Sequence, residues 1–387
     1  MSDAADRQHS RDETLRLFLC GDVMPGRGID QILPTPSSPE LYEPYVRDAR
    51  DYVALAETRS GAIARPVHHA YIWGDALAEF AEQAPDLRLV NLETSVTTSP
   101  QPWPDKGIHY RMHPANVPCL TAAGLDCCVL ANNHVLDWGY GGLSETLSAL
   151  REAGIATVGA GENLAEAQQP AVFELPGGGR LLVFAFADAS SGVPSAWAAT
   201  PTRAGVNLLP DLSGATAKQV AARVAALKRP GDLAIASIHW GRNWGYQIPV
   251  AQQDFAHALI DHGRIDLVHG HSAHHPRPIE VYGGRLILYG CGDFLNDYEG
   301  ISGHEAFRSD LVLMYFPLLH RNDGRLLSLT MRPLQLRRLR LQRAEPDDVR
   351  WLAALLSQAS SVFGTTVVLQ GDGRLALQWN PASPAQP

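Results

Sequence analysis

The chain has 387 residues, 45% of them hydrophobic and 19% charged, with a formal net charge of −9. That apolar content over that length supports one large core or two ordinary ones, which excludes a fibrous or disordered chain. The acidic balance argues against a general nucleic-acid or anionic-membrane surface, because both reward a basic face.

The first fourteen residues are polar and lead into a short apolar run, Leu15 to Cys20. It is too short for the core of a signal peptide and no later run exceeds strand length, so neither export nor a membrane span is expected. "LRLFLCGD" reads as a strand closing on Asp22. Residues 34–72, with prolines, tyrosines and charges in no clear period, read as a long surface excursion. A helix is expected from Trp73 to Glu82, then a strand, "LRLVNLE", ending at Glu93. Residues 97–114, rich in proline and aromatics, form a second excursion able to wall a site. "DCCVLANNH" ends at His134, and a helix follows from Gly142 to Ala153. Helices Ala215 to Lys228 and Ala251 to His262 then flank "LAIASIHWG", which carries His239. "DLVHGH" closes on His271 and "LILYGCGD" on Asp293, so that "CGD" follows a strand at both 20–22 and 291–293. Beyond Leu336 a capped helix and a hairpin read as a small α+β appendage, and the final "NPASPAQP" as a disordered tail. Strands alternating with helices imply a layered α/β protein, in which loops past the strand ends collect ligands. The five cysteines, Cys20, Cys119, Cys127, Cys128 and Cys291, are odd in number and contain no C-x-x-C pair. They read as reduced thiols of a cytoplasmic protein.

Four of the fifteen histidines crowd into "HGHSAHH", residues 269–275. His271 and His274 there are the strongest signal for a metal or acid/base site. Asp22 is either a metal-binding carboxylate or a turn cap. Glu93 is a ligand or a turn residue, and His239 a ligand or a satisfied core histidine. The pair Asn133 and His134 offers an amide oxygen and an imidazole, both metal-competent. Together the set is the mixed oxygen and nitrogen shell suited to manganese, iron or zinc. Arg27 and Arg242 either clamp an anionic substrate or are merely solvated. Trp103, Tyr110 and Trp244 are candidates to line a cleft, whereas Trp138 either joins them or packs beneath its loop.

In their joint order, "GDVMPGR", "NLETSVTTS", "ANNHVLDWGYGG", "SIHWGRNWGY", "GHSAHHPRPIE" and "LYGCGDFLNDYE" resemble the CapA family of poly-γ-glutamate capsule biosynthesis, itself similar to the calcineurin-like metallophosphoesterases. The resemblance implies a four-layer α/β/β/α sandwich over residues 15–335, with residues 336–379 as the appendage. It implies Asp22, Glu93, Asn133, His239, His271 and His274 as metal ligands, and Asp22, Arg27 and His134 as the catalytic set, His134 protonating the leaving group. Three positions depart from the superfamily pattern. Met24 stands where an imidazole is usual, the Gly-His-x-His motif is stretched to Gly270, His271, Ser272, Ala273, His274, and Glu93 replaces an aspartate. A thioether is a poor ligand for hard cations, so one ion is better supported than two. The function implied is a soluble metal-dependent hydrolase acting on a phosphoester or an anionic peptide of polyglutamate type. A metal-free, epimerase-type acid/base enzyme and a non-catalytic component of polymer synthesis are the alternatives.

Overall fold

In the structure, a computed structural model, residues 13–175 and 178–380 are described. The tail from Pro381, expected to be disordered, lies outside the described residues. β1 (Thr14–Val23) is buried along nearly its whole length, as its almost continuous apolar run requires of a strand covered on both faces. The first excursion holds an unexpected helix, α1 (Arg50–Ser60). Only Tyr52, Val53 and Ala56 of it are buried, a stripe too narrow to stand out in a charged segment. The next helix starts later than the pattern suggests. Gly74 takes a φ of 43° and packs so that a Cβ would fall 1.9 Å from the Leu341 carbonyl oxygen, which delays α2 to Ala76–Gln83.

The remaining main elements follow in order. They are β2 (Leu87–Leu92), β3 (Cys127–Val129), α3 (Gly139–Glu152), β4 (Ala156–Val158), β5 (Ala171–Glu174), β6 (Arg180–Ala187), α4 (Gly214–Leu227), β7 (Leu233–His239) and α5 (Val250–Gly263). Then come β8 (Leu267–His271), β9 (Ile279–Tyr282), β10 (Arg285–Leu288), β11 (Asp293–Leu295), β12 (Leu311–His320), β13 (Leu326–Leu336), β14 (Leu341–Arg343), α6 (Pro346–Ser360), β15 (Thr365–Leu369) and β16 (Leu375–Trp379). α4 opens on Ser213, whose hydroxyl accepts from the Thr216 N–H.

Two large sheets result, beside two short two-stranded pairings (Ala160–Gly161 with Gly205–Val206, and Ser95–Val96 with Arg111–Met112), making a mixed α/β protein. One has ten strands in the order β15-β16-β13-β12-β1-β2-β3-β4, with β11 also on β1 and β14 on β13. The other has six, in the order β9-β10-β8-β7-β6-β5. Alternate residues of β6 enter different apolar clusters. Leu181, Val183 and Ala185 join the one that holds β1 and β2, while Leu182, Phe184 and Phe186 join Phe255 and Leu259 of α5. Both faces of the second sheet are thus covered. The hairpin β15–β16 extends the first sheet by pairing Thr330 with Ala376 and Met331 with Leu375. At the end of α6, the Ser360 hydroxyl accepts the Ile279 N–H and the Thr365 hydroxyl donates to the Ile279 carbonyl, so the tail also touches the second sheet. No helix among the described residues is long and apolar enough to cross a membrane, and all five cysteines are free and buried.

The recurring "CGD" has a structural counterpart. β11 lies parallel to β1 with Asp293 in register with Asp22, and the Asp22 N–H donates to the Gly292 carbonyl at 3.0 Å. A Cβ on Gly21 would sit 1.6 Å from that carbonyl oxygen, so the two strands approach this closely only without a side chain at 21. Gly21→Ala is therefore expected to lower stability by about 3 kcal/mol. Gly214→Ala, at an open position in the first turn of α4, should be neutral or stabilising by about 0.5 kcal/mol. Chemical denaturation of the two variants beside the parent checks both.

Candidate metal centre

The ends of parallel strands from both sheets converge. On the first sheet Asp22 is the penultimate residue of β1, flanked in register by Asn91 of β2 and Asp293 of β11. Its buried carboxylate accepts from the Asn91 amide at 2.7 Å and from the Ser272 N–H at 3.2 Å. On the second sheet His239 and His271, the last residues of β7 and β8, are paired in register, their Nδ1 atoms 2.8 Å apart. Asp22, His239 and His271 bring their donor atoms within 4.8 Å of one another, and Asp22, His274 and Asp293 do the same. Asp22 belongs to both groups. Met24 is buried beside them, with the Tyr298 hydroxyl 3.7 Å from its sulfur.

The remaining expected ligands stand around His239. The Asn133 Oδ1 lies 3.0 Å from His239 Nε2, and the Glu93 Oε1 lies 3.8 Å from the same nitrogen. Asn132 sets this loop. Its amide donates to the Asn91 side chain and the Leu92 carbonyl, while its oxygen accepts the N–H groups of His134 and Val135. Asn133 and His134 are thereby turned to different partners.

Proton bookkeeping shows that a cation fits. His269 Nε2 faces the Cys20 carbonyl at 2.7 Å, which can only accept, so that nitrogen carries the hydrogen. The Ser237 hydroxyl then donates to His269 Nδ1 and accepts from His271 Nε2, at 2.9 and 3.0 Å. This leaves a lone pair on His271 Nδ1. His239 is neutral, because burial pushes its pKa well below the usual value, so it has one hydrogen for two nitrogens. Placed on Nε2, that hydrogen leaves two lone pairs facing across 2.8 Å. Placed on Nδ1, it leaves Nε2 facing the Asn133 oxygen across 3.0 Å. With the Asn133 oxygen in this orientation, either arrangement sets acceptor against acceptor, a defect that a cation removes and that turning the Asn133 amide over would also relieve.

The carboxylates point the same way. Burial, aided by the charge of Asp293, pushes Asp22 up to about 7, and burial followed by the charge of Asp22 holds Glu93 well above its usual range. Burial also lowers His274, but the Asp293 carboxylate 2.8 Å away outweighs it and the net shift is upward.

His134 has different company. Its Nδ1 lies 2.6 Å from Asp137 Oδ2, and Lys106 Nζ approaches both Nδ1, at 3.0 Å, and Asp137 Oδ1, at 2.5 Å. Burial and then Lys106 push the imidazole down to about 4, against the pull of Asp137. With Nδ1–H given to Asp137, Nε2 is left toward Glu93, 3.7 Å away.

The residues expected to handle substrate separate. Arg242 is exposed and pairs with no carboxylate among the described residues. Trp244 stacks on His304 at 4.0 Å and lies 5.4 Å from the His274 ring, at the rim. Tyr110 is fully buried, its ring edge-on to His134 at 4.6 Å. Trp103 packs against Trp197 and Tyr140, a shell beyond Lys106. Arg27 is placed differently from an open clamp. Its guanidinium is buried, bonded to Asp297 through Nε and Nη2 and to Glu43 through Nη1, beneath the rings of Tyr52 and Tyr110. Trp138 is buried under the Arg111 guanidinium, packing beneath its loop. Asp293, Lys106 and Asp137 were not expected. The repeated "CGD" was the available signal for the first, and nothing local marks the pairing of the other two.

Strand ends from two sheets meeting over paired carboxylate and imidazole groups are the setting of the metallophosphoesterase-like superfamily. Residues 16–298 match the family described as bacterial capsule synthesis protein PGA_cap, and the chain belongs to that family. It is 50% identical over 364 residues to a probable polyglutamine synthesis accessory protein of Mycobacterium tuberculosis, covering 94% of this chain and 96% of that one. The capsule biosynthesis protein CapA of Bacillus anthracis is 28% identical over 293 residues, 75% of this chain and 62% of the relative. The PGA biosynthesis protein CapA of Bacillus subtilis is 26% identical over 317 residues, 81% and 70% of the two chains.

Loading this centre should displace protons. At pH 6, below the raised value of Asp22, the ion-free protein holds a proton there, and burial with the charge of Asp22 pushes Glu93 in the same direction, whereas burial keeps His239 and His271 uncharged. Calorimetric titration with Mn²⁺ or Zn²⁺ at pH 6 in buffers of different ionisation enthalpy should report net proton release, diminished in Asp22→Asn. Asp293→Ala should lower bound metal by elemental analysis while His239 and His271 still hold an ion.

Proposed function

We propose that the protein is a metal-dependent hydrolase of a phosphoester or of an anionic peptide of polyglutamate type, built as a four-layer α/β/β/α sandwich over residues 15–335 with residues 336–379 as its appendage. The observation that carries this reading is the pair of overlapping ligand groups sharing Asp22, with a separately held His134 beside them. Asp22, His239 and His271 would hold one cation, closed by Glu93 and Asn133, and Asp22, His274 and Asp293 a second. Manganese, iron or zinc there would supply Lewis acidity and a more acidic water. His134 takes a proton at Nε2 and returns it to the leaving group, while Asp137 accepts Nδ1–H and steadies the charged imidazole. Arg242, exposed and in no ion pair among the described residues, meets the anionic part of the substrate, and Trp244 offers it a flat apolar face. Arg27 acts from behind, fixing Tyr110 against His134. Five free, buried thiols support a reducing, cytoplasmic setting.

The name of the Mycobacterium tuberculosis relative, an accessory protein, supports a second reading, an accessory role in polymer synthesis without turnover. Activity separates the two. Purified protein loaded with each metal is offered aryl phosphomonoesters, aryl phosphodiesters and γ-glutamyl oligomers. His134→Ala should keep fold and metal yet lose roughly 10²–10⁴-fold in turnover, most for poor leaving groups. Asn133→Ala should instead lower metal occupancy. Undiminished turnover after exhaustive chelation would favour a metal-free acid/base enzyme of the epimerase kind, and no turnover on any of these substrates would favour the accessory role.

A further inference from the structure

Lys106 has no part in the steps above. It comes from the second excursion, and its side chain, only 15% exposed, ends against the fully buried carboxylate of Asp137. The two oxygens of that carboxylate are served differently. Oδ2 accepts the Tyr110 N–H at 2.6 Å and stands 2.6 Å from His134 Nδ1. Oδ1 is met by the Lys106 ammonium at 2.5 Å and accepts no other hydrogen bond among the described residues. The same ammonium donates to the Ile108 carbonyl at 3.0 Å, so it ties the excursion's own backbone to the carboxylate. Burial opposes the charge of Asp137, but His134 and Lys106 outweigh it and hold the carboxyl below its usual range. The grip extends along the excursion. The Trp103 N–H donates to the Asp137 carbonyl at 2.7 Å, and the Tyr110 carbonyl accepts the Trp138 Nε1–H at 3.2 Å. Residues 103–110 therefore close over one carboxylate, and their backbone bonds alone leave its charge unmatched.

A buried carboxylate that loses its cation is strongly destabilising, and the readiest relief is for the covering segment to open and admit water. Opening would withdraw the Tyr110 N–H from Oδ2 and the Tyr110 ring from its place 4.6 Å from the His134 ring. We propose that Lys106 is a positioning residue for His134: its ammonium latches the second excursion shut over Asp137, and the latched carboxylate holds Nδ1–H so that Nε2 faces the centre. Lys106 Nζ lies 3.0 Å from Nδ1, but the hydrogen on Nδ1 goes to the carboxylate, which can only accept. The ammonium thus acts on the ring through Asp137. None of the groups it bonds to is a proposed metal ligand, so its loss spares the metal. The catalytic consequence rests on the reading of His134 as the acid toward the leaving group, whereas the latch itself does not depend on turnover.

The test has two arms, both on the full chain loaded with Zn²⁺. In the proton NMR spectrum the His134 Nδ1–H should give a far-downfield resonance protected from exchange with water, identified by its absence from His134→Ala. Lys106→Met, which keeps the apolar stem and removes the charge, should lose that protection while metal content by elemental analysis is unchanged. In kinetics, on whichever substrate above is turned over, Lys106→Met should lower kcat roughly ten- to a hundredfold with KM little changed. The double variant Lys106→Met/His134→Ala should be no slower than His134→Ala, because the two changes remove one function. Should Lys106→Met fail to fold, Lys106→Gln, which removes the charge but keeps a donor, is read by the same two measurements. The proposal is overturned if the parent shows no protected Nδ1–H, if that proton survives unchanged in a folded variant, if kcat is unchanged, or if the two kinetic losses add. Where no substrate is turned over, the NMR arm decides alone, so failure of the hydrolase reading and failure of the latch are told apart.

Discussion

The close approach of β1 and β11 is the constraint from which the centre follows. Gly21 must lack a side chain because the Gly292 carbonyl occupies that space, and only then do Asp22 and Asp293 stand side by side. Two buried carboxylates so placed repel each other, and the surrounding apolar core offers no water to screen them. His239 and His271 from the opposite sheet arrive neutral, with lone pairs rather than charges to contribute. The local free energy is therefore high without a cation, and the folding energy of two large sheets keeps the groups from moving apart.

The strand ends were legible because each couples an apolar run to an abrupt polar residue. Asp22, Glu93, Asn133, His239, His271 and His274 could all be named from that pattern combined with the family order, and they lie around one centre. Their roles were less legible. His269 looks like its neighbours in the cluster, yet its ring serves to fix the hydrogen of His271 through Ser237. Arg27 sits in a conspicuous motif beside a ligand, but its partners Asp297 and Glu43 are 270 and 16 residues distant and no local pattern announces them. Lys106 was hidden for the same reason, as one charge in a proline-rich excursion. Helix α1 was missed because so little of it is buried.

The two long excursions are joined to the site from opposite sides. Residues 97–114 bring Lys106 and Tyr110 to His134, while the first excursion supplies Glu43 and Tyr52 to Arg27. Both carry charges that are neutralised only by partners on other elements. A change of position in either would leave a buried ion unpaired, which makes these excursions rigid walls of the pocket in spite of their composition.

The order of strands also governs how the chain can be made. β1, at the start of the chain, lies between β2 and β12, and β12 begins only at Leu311. The shared family region ends at residue 298, before that partner strand exists. During synthesis the apolar edge of β1 therefore waits for almost three hundred residues to be added before it is covered. Such long-range pairing slows folding and leaves an exposed strand edge open to association. A fragment ending at residue 298 would therefore leave that edge of β1 without its β12 partner.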